Sequence, residues 1–80
     1  MKVSLTKDAH KEYSSIPPGE QKKIKRKLSE LAVNPYAGKK LNGNLSDRYS
    51  LRAWQYRIIY LIKNEEVYIT VIAHRQSAYK

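Results

Sequence analysis

The residues of this chain best able to do chemistry cluster between positions 48 and 75. Arg48, Ser50 and Arg52 alternate along one short stretch, Arg57 follows in the next, and His74 stands near the end of a third. A guanidinium offers a planar fork of donors that can hold two phosphoryl oxygens at once. An imidazole has a reference pKa of about 6.5, so His74 can act as acid or base near neutrality. Clustered cations on one face of a sheet make a site for an anion, and phosphate is the commonest large one.

That clustering requires strands. Residues 48–52, 56–62 and 67–75 are rich in β-branched and aromatic types and are separated by short turns near Ala53-Trp54-Gln55 and at Asn64-Glu65. The pattern predicts an antiparallel meander. Counting outward from Asn64-Glu65 sets Ile62 opposite Val67, Tyr60 opposite Ile69, Ile58 opposite Val71 and Tyr56 opposite Ala73, an apolar face that should be core. The alternate positions pair Leu61 with Tyr68, Ile59 with Thr70, Arg57 with Ile72 and Gln55 with His74, which brings Arg57 and His74 together on the other face. Burying Leu51 turns Arg48, Ser50 and Arg52 outward as well. Tyr56 and Tyr60 read as core, Tyr68 as exposed, and Trp54 in the turn is assigned to neither.

The chain has 80 residues, enough for a single domain spanning 1–80. Domains this small bury only about 60–65% of the surface that the unfolded chain exposes. Sixteen Lys and Arg against seven Asp and Glu give a formal charge of +9, which favours nucleic acid, an anionic membrane surface or an acidic protein partner. Cysteine is absent, so disulfides, thiolate catalysis and Cys-based zinc sites are excluded. His10 is far from His74 in sequence and no carboxylate cluster accompanies either, so no metal and no cofactor are expected. No apolar run reaches the roughly 18–20 residues of a membrane span, and residues 1–6 alternate like a strand instead of forming a signal-peptide core. A cytoplasmic protein with no membrane attachment is the expectation.

Residues 2–6 read as a short strand turning Val3 and Leu5 inward. Thr6 can cap a helix through Ser15, with Asp8 at its positive end and Ala9, Tyr13 and Ile16 near helical spacing. Pro17-Pro18 interrupts it, and a second helix runs from Gly19 to about Val33, its stripe of Ile24, Leu28, Leu31 and Ala32 calling for an apolar sheet beneath. Lys22, Lys23, Lys25, Arg26 and Lys27 make its other side basic. Those charges fit a solvated helix face and equally a surface that docks ribosomal RNA. Residues 34–47 read as a loop pinned by Leu41 and Leu45, in which Lys39-Lys40 can touch a phosphate backbone or simply face solvent. The result is an α+β fold: an N-terminal strand, a helical hairpin, then a three-stranded antiparallel meander, with the helices on one sheet face. Periodicity leaves the pairing of the first strand open.

Tyr49-Ser50-Leu51-Arg52, Tyr56-Arg57-Ile58-Ile59-Tyr60, and Ala73-His74-Arg75 with Tyr79 four residues on, resemble the RelE/ParE superfamily of bacterial and archaeal toxins, over essentially the whole chain. The resemblance is strongest to RelE-type messenger RNA interferases. It implies the toxin of a type II toxin–antitoxin system, acting in the cytoplasm, which enters the ribosomal A site and cuts messenger RNA without metal until an antitoxin neutralises it. Arg57 matches the arginine that holds the scissile phosphate, Arg75 the basic residue ending the last strand, and Tyr79 the C-terminal tyrosine. Arg48 stands where RelE members carry the first of two strand lysines. Ser50 departs from the family by standing at the second, the proposed general base, and His74 is the substitute at hand.

Such cleavage needs a base for the 2′-hydroxyl, an acid for the leaving 5′-oxygen and cations on the phosphorane. Arg57, Arg75, Tyr79 and His74 are the catalytic candidates; Arg48, Arg52 and Ser50 are the candidates for holding RNA phosphates. Four of them have a plainer reading: Arg57 as a surface partner of an acid, Arg52 as a cross-strand hydrogen-bond donor, His74 as a strand-end structural residue, Tyr79 as part of a loose terminus. Two other functions stay open. A ParE-like toxin would bind DNA gyrase without cutting RNA, and a degenerate toxin would only bind its antitoxin and, with it, operator DNA. Either toxin reading implies an acidic antitoxin with an amphipathic helix.

Overall fold

The computed structural model describes residues 1–41 and 47–74. Strand β1 (Lys2–Leu5) leads into helix α1 (Lys7–Ser14), helix α2 (Pro18–Val33) and strands β2 (Lys39–Lys40), β3 (Arg48–Ala53), β4 (Tyr56–Lys63) and β5 (Glu66–His74). The strands form one sheet in the order β1-β5-β4-β3-β2. The pairing left open by periodicity is thereby answered: β1 lies parallel to β5, while the other neighbours are antiparallel. Among the described residues no helix is long and apolar enough to cross a membrane.

The helical hairpin follows from its punctuation. Thr6, extended at φ −67° and ψ 167°, accepts a hydrogen bond from the Ala9 amide at 3.3 Å, which satisfies one orphan donor of α1. Pro18 enters the first turn of α2, where its missing N–H costs nothing, and Glu20 sits at the positive end of the helix. The two helices are locked reciprocally: Gln21 Nε2 donates to the Tyr13 carbonyl at 2.9 Å and Tyr13 Oη donates to the Gln21 carbonyl at 3.3 Å.

Ala9, Ile16, Ile24 and Leu31 of the helices are buried against Ala53, Ile58, Tyr60, Val67, Ile69 and Ile72 of the sheet. Val3, Leu5, Leu28, Tyr49, Leu51 and Tyr56 complete this layer. All the strand residues among these share one face by alternation, and among the described residues no helix lies over the opposite face.

Two expectations are corrected. Residues 34–47 are not all loop, because Lys39 pairs with Ser50 and Lys40 with Tyr49. A two-residue strand has no periodicity to read. The β4–β5 register is as expected from Ile62↔Val67 to Tyr60↔Ile69, but a bulge follows, and Ile59 then faces Val71 instead of Thr70. Beyond it Ile58 pairs with Ile72, Arg57 with Ala73 and Tyr56 with His74. The extra residue is Thr70, whose Oγ1 donates to the Ile59 carbonyl at 3.2 Å. One inserted residue exchanges the faces of all that follow. Val71, expected in the core, is 36% exposed, and Ile72, expected outside, is 3% exposed.

Tyr60 ties the 34–38 segment to the core. Its hydroxyl donates to the Pro35 carbonyl and accepts from the Gly38 amide, both at 2.9 Å. Gly38 is required there by proximity: a Cβ would stand 2.5 Å from Tyr60 Oη and 3.0 Å from the Ser50 carbonyl oxygen. Burial raises the Tyr60 hydroxyl above its ordinary value, with a smaller contribution from Tyr49, against the Gly38 hydrogen bond, which lowers it. Tyr60→Phe should lower stability by about 1–3 kcal/mol, since it strands a donor and an acceptor, and urea melts will read the loss. The raised value also sets a sign: Tyr60 supports the fold while protonated in both states, and that support is lost as pH climbs above the unfolded tyrosine value of about 10. Alkaline melts of Tyr60→Phe should therefore fall less steeply than those of the natural chain.

Candidate functional site

The side chains of the uncovered face can be taken row by row. Arg52 of β3 lies directly opposite Arg57 of β4, which lies opposite Ala73 of β5. The next row runs Lys39, Ser50, Ile59 and Val71. A third runs Arg48, Leu61, Tyr68 and Ser4. Four cations from three adjacent strands thus surround Ser50, on a floor of Ile59, Leu61 and Val71. Neighbouring strands lie about 4.8 Å apart, which sets Arg52 beside Arg57 and Lys39 beside Ser50, while Arg48 stands two rows further along β3.

Such an arrangement has a cost. Like charges directly opposite on antiparallel strands destabilise the sheet, and Arg52 and Arg57 are such a pair. Arg48 adds a second: its Nε is buried with no hydrogen-bond partner. An anion reaching this face would offset the repulsion, and the apolar floor would strengthen its attraction by excluding water. A phosphodiester suits the fork of Arg57 and the more exposed Arg52.

Of the sequence-derived candidates, Arg48, Ser50, Arg52 and Arg57 are brought together. His74 is not. Because of the Thr70 bulge it pairs with Tyr56, whose ring it meets edge-on with centroids 5.4 Å apart, on the helix-covered side of the sheet. The expected Gln55–His74 pairing and the shared face of Arg57 and His74 are both corrected by the same inserted residue. Arg75 and Tyr79 lie outside the described residues.

Lys39, whose charge already suggested a phosphate contact, joins the cluster through β2, a strand pairing that no periodicity signals. At the opposite end of the face, the Ser4 hydroxyl donates to Glu66, and Tyr68 Oη donates to Glu66 Oε1 at 3.3 Å. Burial and the neighbouring Glu66 carboxylate push the Tyr68 hydroxyl upward, so it stays protonated. Among the described residues no three His, Asp or Glu side chains gather to hold a metal ion.

A model of the ParE toxins of type II toxin–antitoxin systems matches residues 3–79. The chain belongs to this family. Membership in the RelE/ParE superfamily, implied by the tyrosine and arginine pattern of the strands, is thus established, and the protein is the toxin of a type II system. Solved structures agree. The toxin–antitoxin complex RelBE2 from Mycobacterium tuberculosis is similar at 28% identity and a TM-score of 0.85, covering 92% of this chain and 96% of that one. The isolated RelE toxin of E. coli is similar at 26% identity and a TM-score of 0.76, covering 91% and 82%. The RelE–RelB complex of Pyrococcus horikoshii, at 23% identity, shares the fold with a TM-score of 0.79 over 92% and 93%. No curated protein matches the chain significantly.

The like-charge pair yields a prediction for this toxin. Arg52→Gln should raise stability by about 0.2–1 kcal/mol at low ionic strength while weakening polyanion binding. Melts at low and high salt provide the check, because screening at 1 M salt, where the Debye length is about 3 Å, should erase the stability difference.

Proposed function

We propose that this toxin is a metal-independent, ribosome-dependent endoribonuclease that arrests translation by cutting messenger RNA. The observation that carries the reading is the clustering of Arg48, Arg52, Arg57 and Lys39 around Ser50 on the uncovered sheet face. In this reading Arg57 grips the scissile phosphate and stabilises the charge that develops on it, while Arg52 and Arg48 hold the strand on either side. Arg75 and Tyr79 keep the roles that the resemblance to RelE implies, as a second cation at the phosphate and as the group that stacks on a base or protonates the leaving oxygen. His74 meets Tyr56 on the covered side, so this reading gives it no part at a phosphate held by Arg57. The RelE relatives with 26–28% identity support this branch of the superfamily.

A ParE-like inhibitor of DNA gyrase is the second reading, and two observations favour it. The matching family model is that of ParE toxins. Among the described residues, moreover, no carboxylate or imidazole shares the rows of Arg57 and Ser50 on the outer face. In either branch the partner is an antitoxin, as in the RelBE2 and RelE–RelB complexes, and a +9 toxin calls for an acidic one with an amphipathic helix. Operator DNA is then reached through the toxin–antitoxin complex.

Inducible expression followed by primer extension of messenger RNA 5′ ends tests the proposal. New ends should appear only while translation runs, and Arg57→Ala should reduce them by about 100-fold or more, the usual loss when a transition-state charge contact is removed. Growth arrest without new ends, together with inhibited supercoiling by purified gyrase, would transfer the assignment to the ParE branch.

A further inference from the structure

The turn between β3 and β4 carries Trp54, the single tryptophan of the chain, with a φ of 57°. A positive φ at the first central residue of a two-residue hairpin is the position that glycine fills at least cost. A bulky side chain there holds the backbone in a sparsely populated region, and such strain points to what the side chain does. The indole is not tucked into the core, since Trp54 remains 45% exposed. Lys23 Nζ and Lys27 Nζ of α2 stand over it at 5.6 and 5.7 Å from the ring centroid. Being four residues apart, they approach from the same side of the helix.

The position of this aromatic and its two lysines relates it to the cationic face. Arg52 precedes Trp54 by two residues and Arg57 follows it by three; only the Ala53–Tyr56 pair separates that row from the tip, whose indole turns toward α2 and so links the outer face to the helix layer. A basic track with an exposed aromatic beside it is the arrangement that holds single-stranded nucleic acid, the ring stacking on a base and the cations following the phosphates. Glu20 lies 3.9 Å from Lys23 and Glu30 lies 3.3 Å from Lys27, weak exposed pairs that a polyanion can displace.

We propose that Trp54, Lys23 and Lys27 form a second contact for single-stranded RNA, in which a base flanking the strand held at Arg57 stacks on the indole and its phosphates pass to α2. The inference rests on the RNA-cleaving reading of the outer face and extends the RNA path around the hairpin tip. It also assigns part of the basic run of α2 to the bound strand.

The test uses Trp54 as its own reporter, with a short 2′-O-methylated single-stranded RNA that cannot be cut through its 2′-oxygen. Saturable quenching of Trp54 emission is the expected result. By anisotropy of the labelled RNA, Trp54→Leu should bind about 5- to 100-fold more weakly, with Trp54→Tyr recovering most of the loss. The double variant Lys23→Gln, Lys27→Gln should reduce the slope of log affinity against log salt by about 1.4, and it keeps this readout available should Trp54→Leu fail to fold. Unquenched Trp54 together with an unchanged salt slope overturns the proposal, as does quenching by duplex DNA in preference to the RNA. Arg57-dependent cuts in cells with an unquenched Trp54 would sink this contact and leave the nuclease standing. Quenching by the RNA without any cuts would keep the contact and remove the nuclease.

Discussion

The burial of Ile24 and Leu31 of α2, with Ala9 and Ile16 of α1, against Ile58, Tyr60, Val67, Ile69 and Ile72 is the contact on which the rest of the molecule depends. Among the described residues two helices pack on a five-stranded sheet, and they dry only one face. Once Leu51 and Ile58 are committed inward, alternation leaves Arg48, Arg52 and Arg57 no place but the other face. The cationic face is therefore a by-product of core formation as much as a site, since any sequence keeping this core register would present the same positions.

Much of this could be read from residue types. Thr6, Pro17-Pro18 and Asn34 marked the helix limits within a residue or so, and the alternation of residues 48–62 separated Arg48, Ser50, Arg52 and Arg57 from Tyr49, Leu51, Ile58 and Tyr60. What escaped was set by single residues acting out of pattern. Thr70 is β-branched and suits an unbroken strand, so nothing in its type announces a bulge. Yet it moved Val71, Ile72 and His74 to the faces opposite those that strict alternation assigns. Lys39 and Lys40 pair with β3 just beyond a segment that the Tyr60 hydroxyl holds at Pro35 and Gly38, from 25 and 22 residues away, a long-range constraint that no local window contains.

The two hairpins solve their turns differently. Asn64 and Glu65 both adopt positive φ, at 52° and 60°, as a type I′ turn requires. Asn64 suits that region, whereas Glu65 does not, and their strands twist together into the best-paired part of the sheet. The β3–β4 turn concentrates its strain on Trp54 alone. Its indole is held by lysines from a different layer, so a cation–π contact adds to the packing of Ala53 and Tyr56 at this end of the sheet.

The carboxylate of Glu12 has a further consequence. Strand β1 accompanies β5 only as far as Ile69, where the chain turns away through the Thr6 amide bonded to the Ile69 carbonyl at 3.0 Å, and the next stretch of β5 loses its neighbour. Glu12 of α1 accepts the Ile72 amide at 3.2 Å, standing in for the missing strand. A bare donor at that point would template another chain, and edge-to-edge growth is the usual failure of small sheets. By filling it with a negative charge from a helix already needed for the core, the fold resists self-polymerisation along this margin.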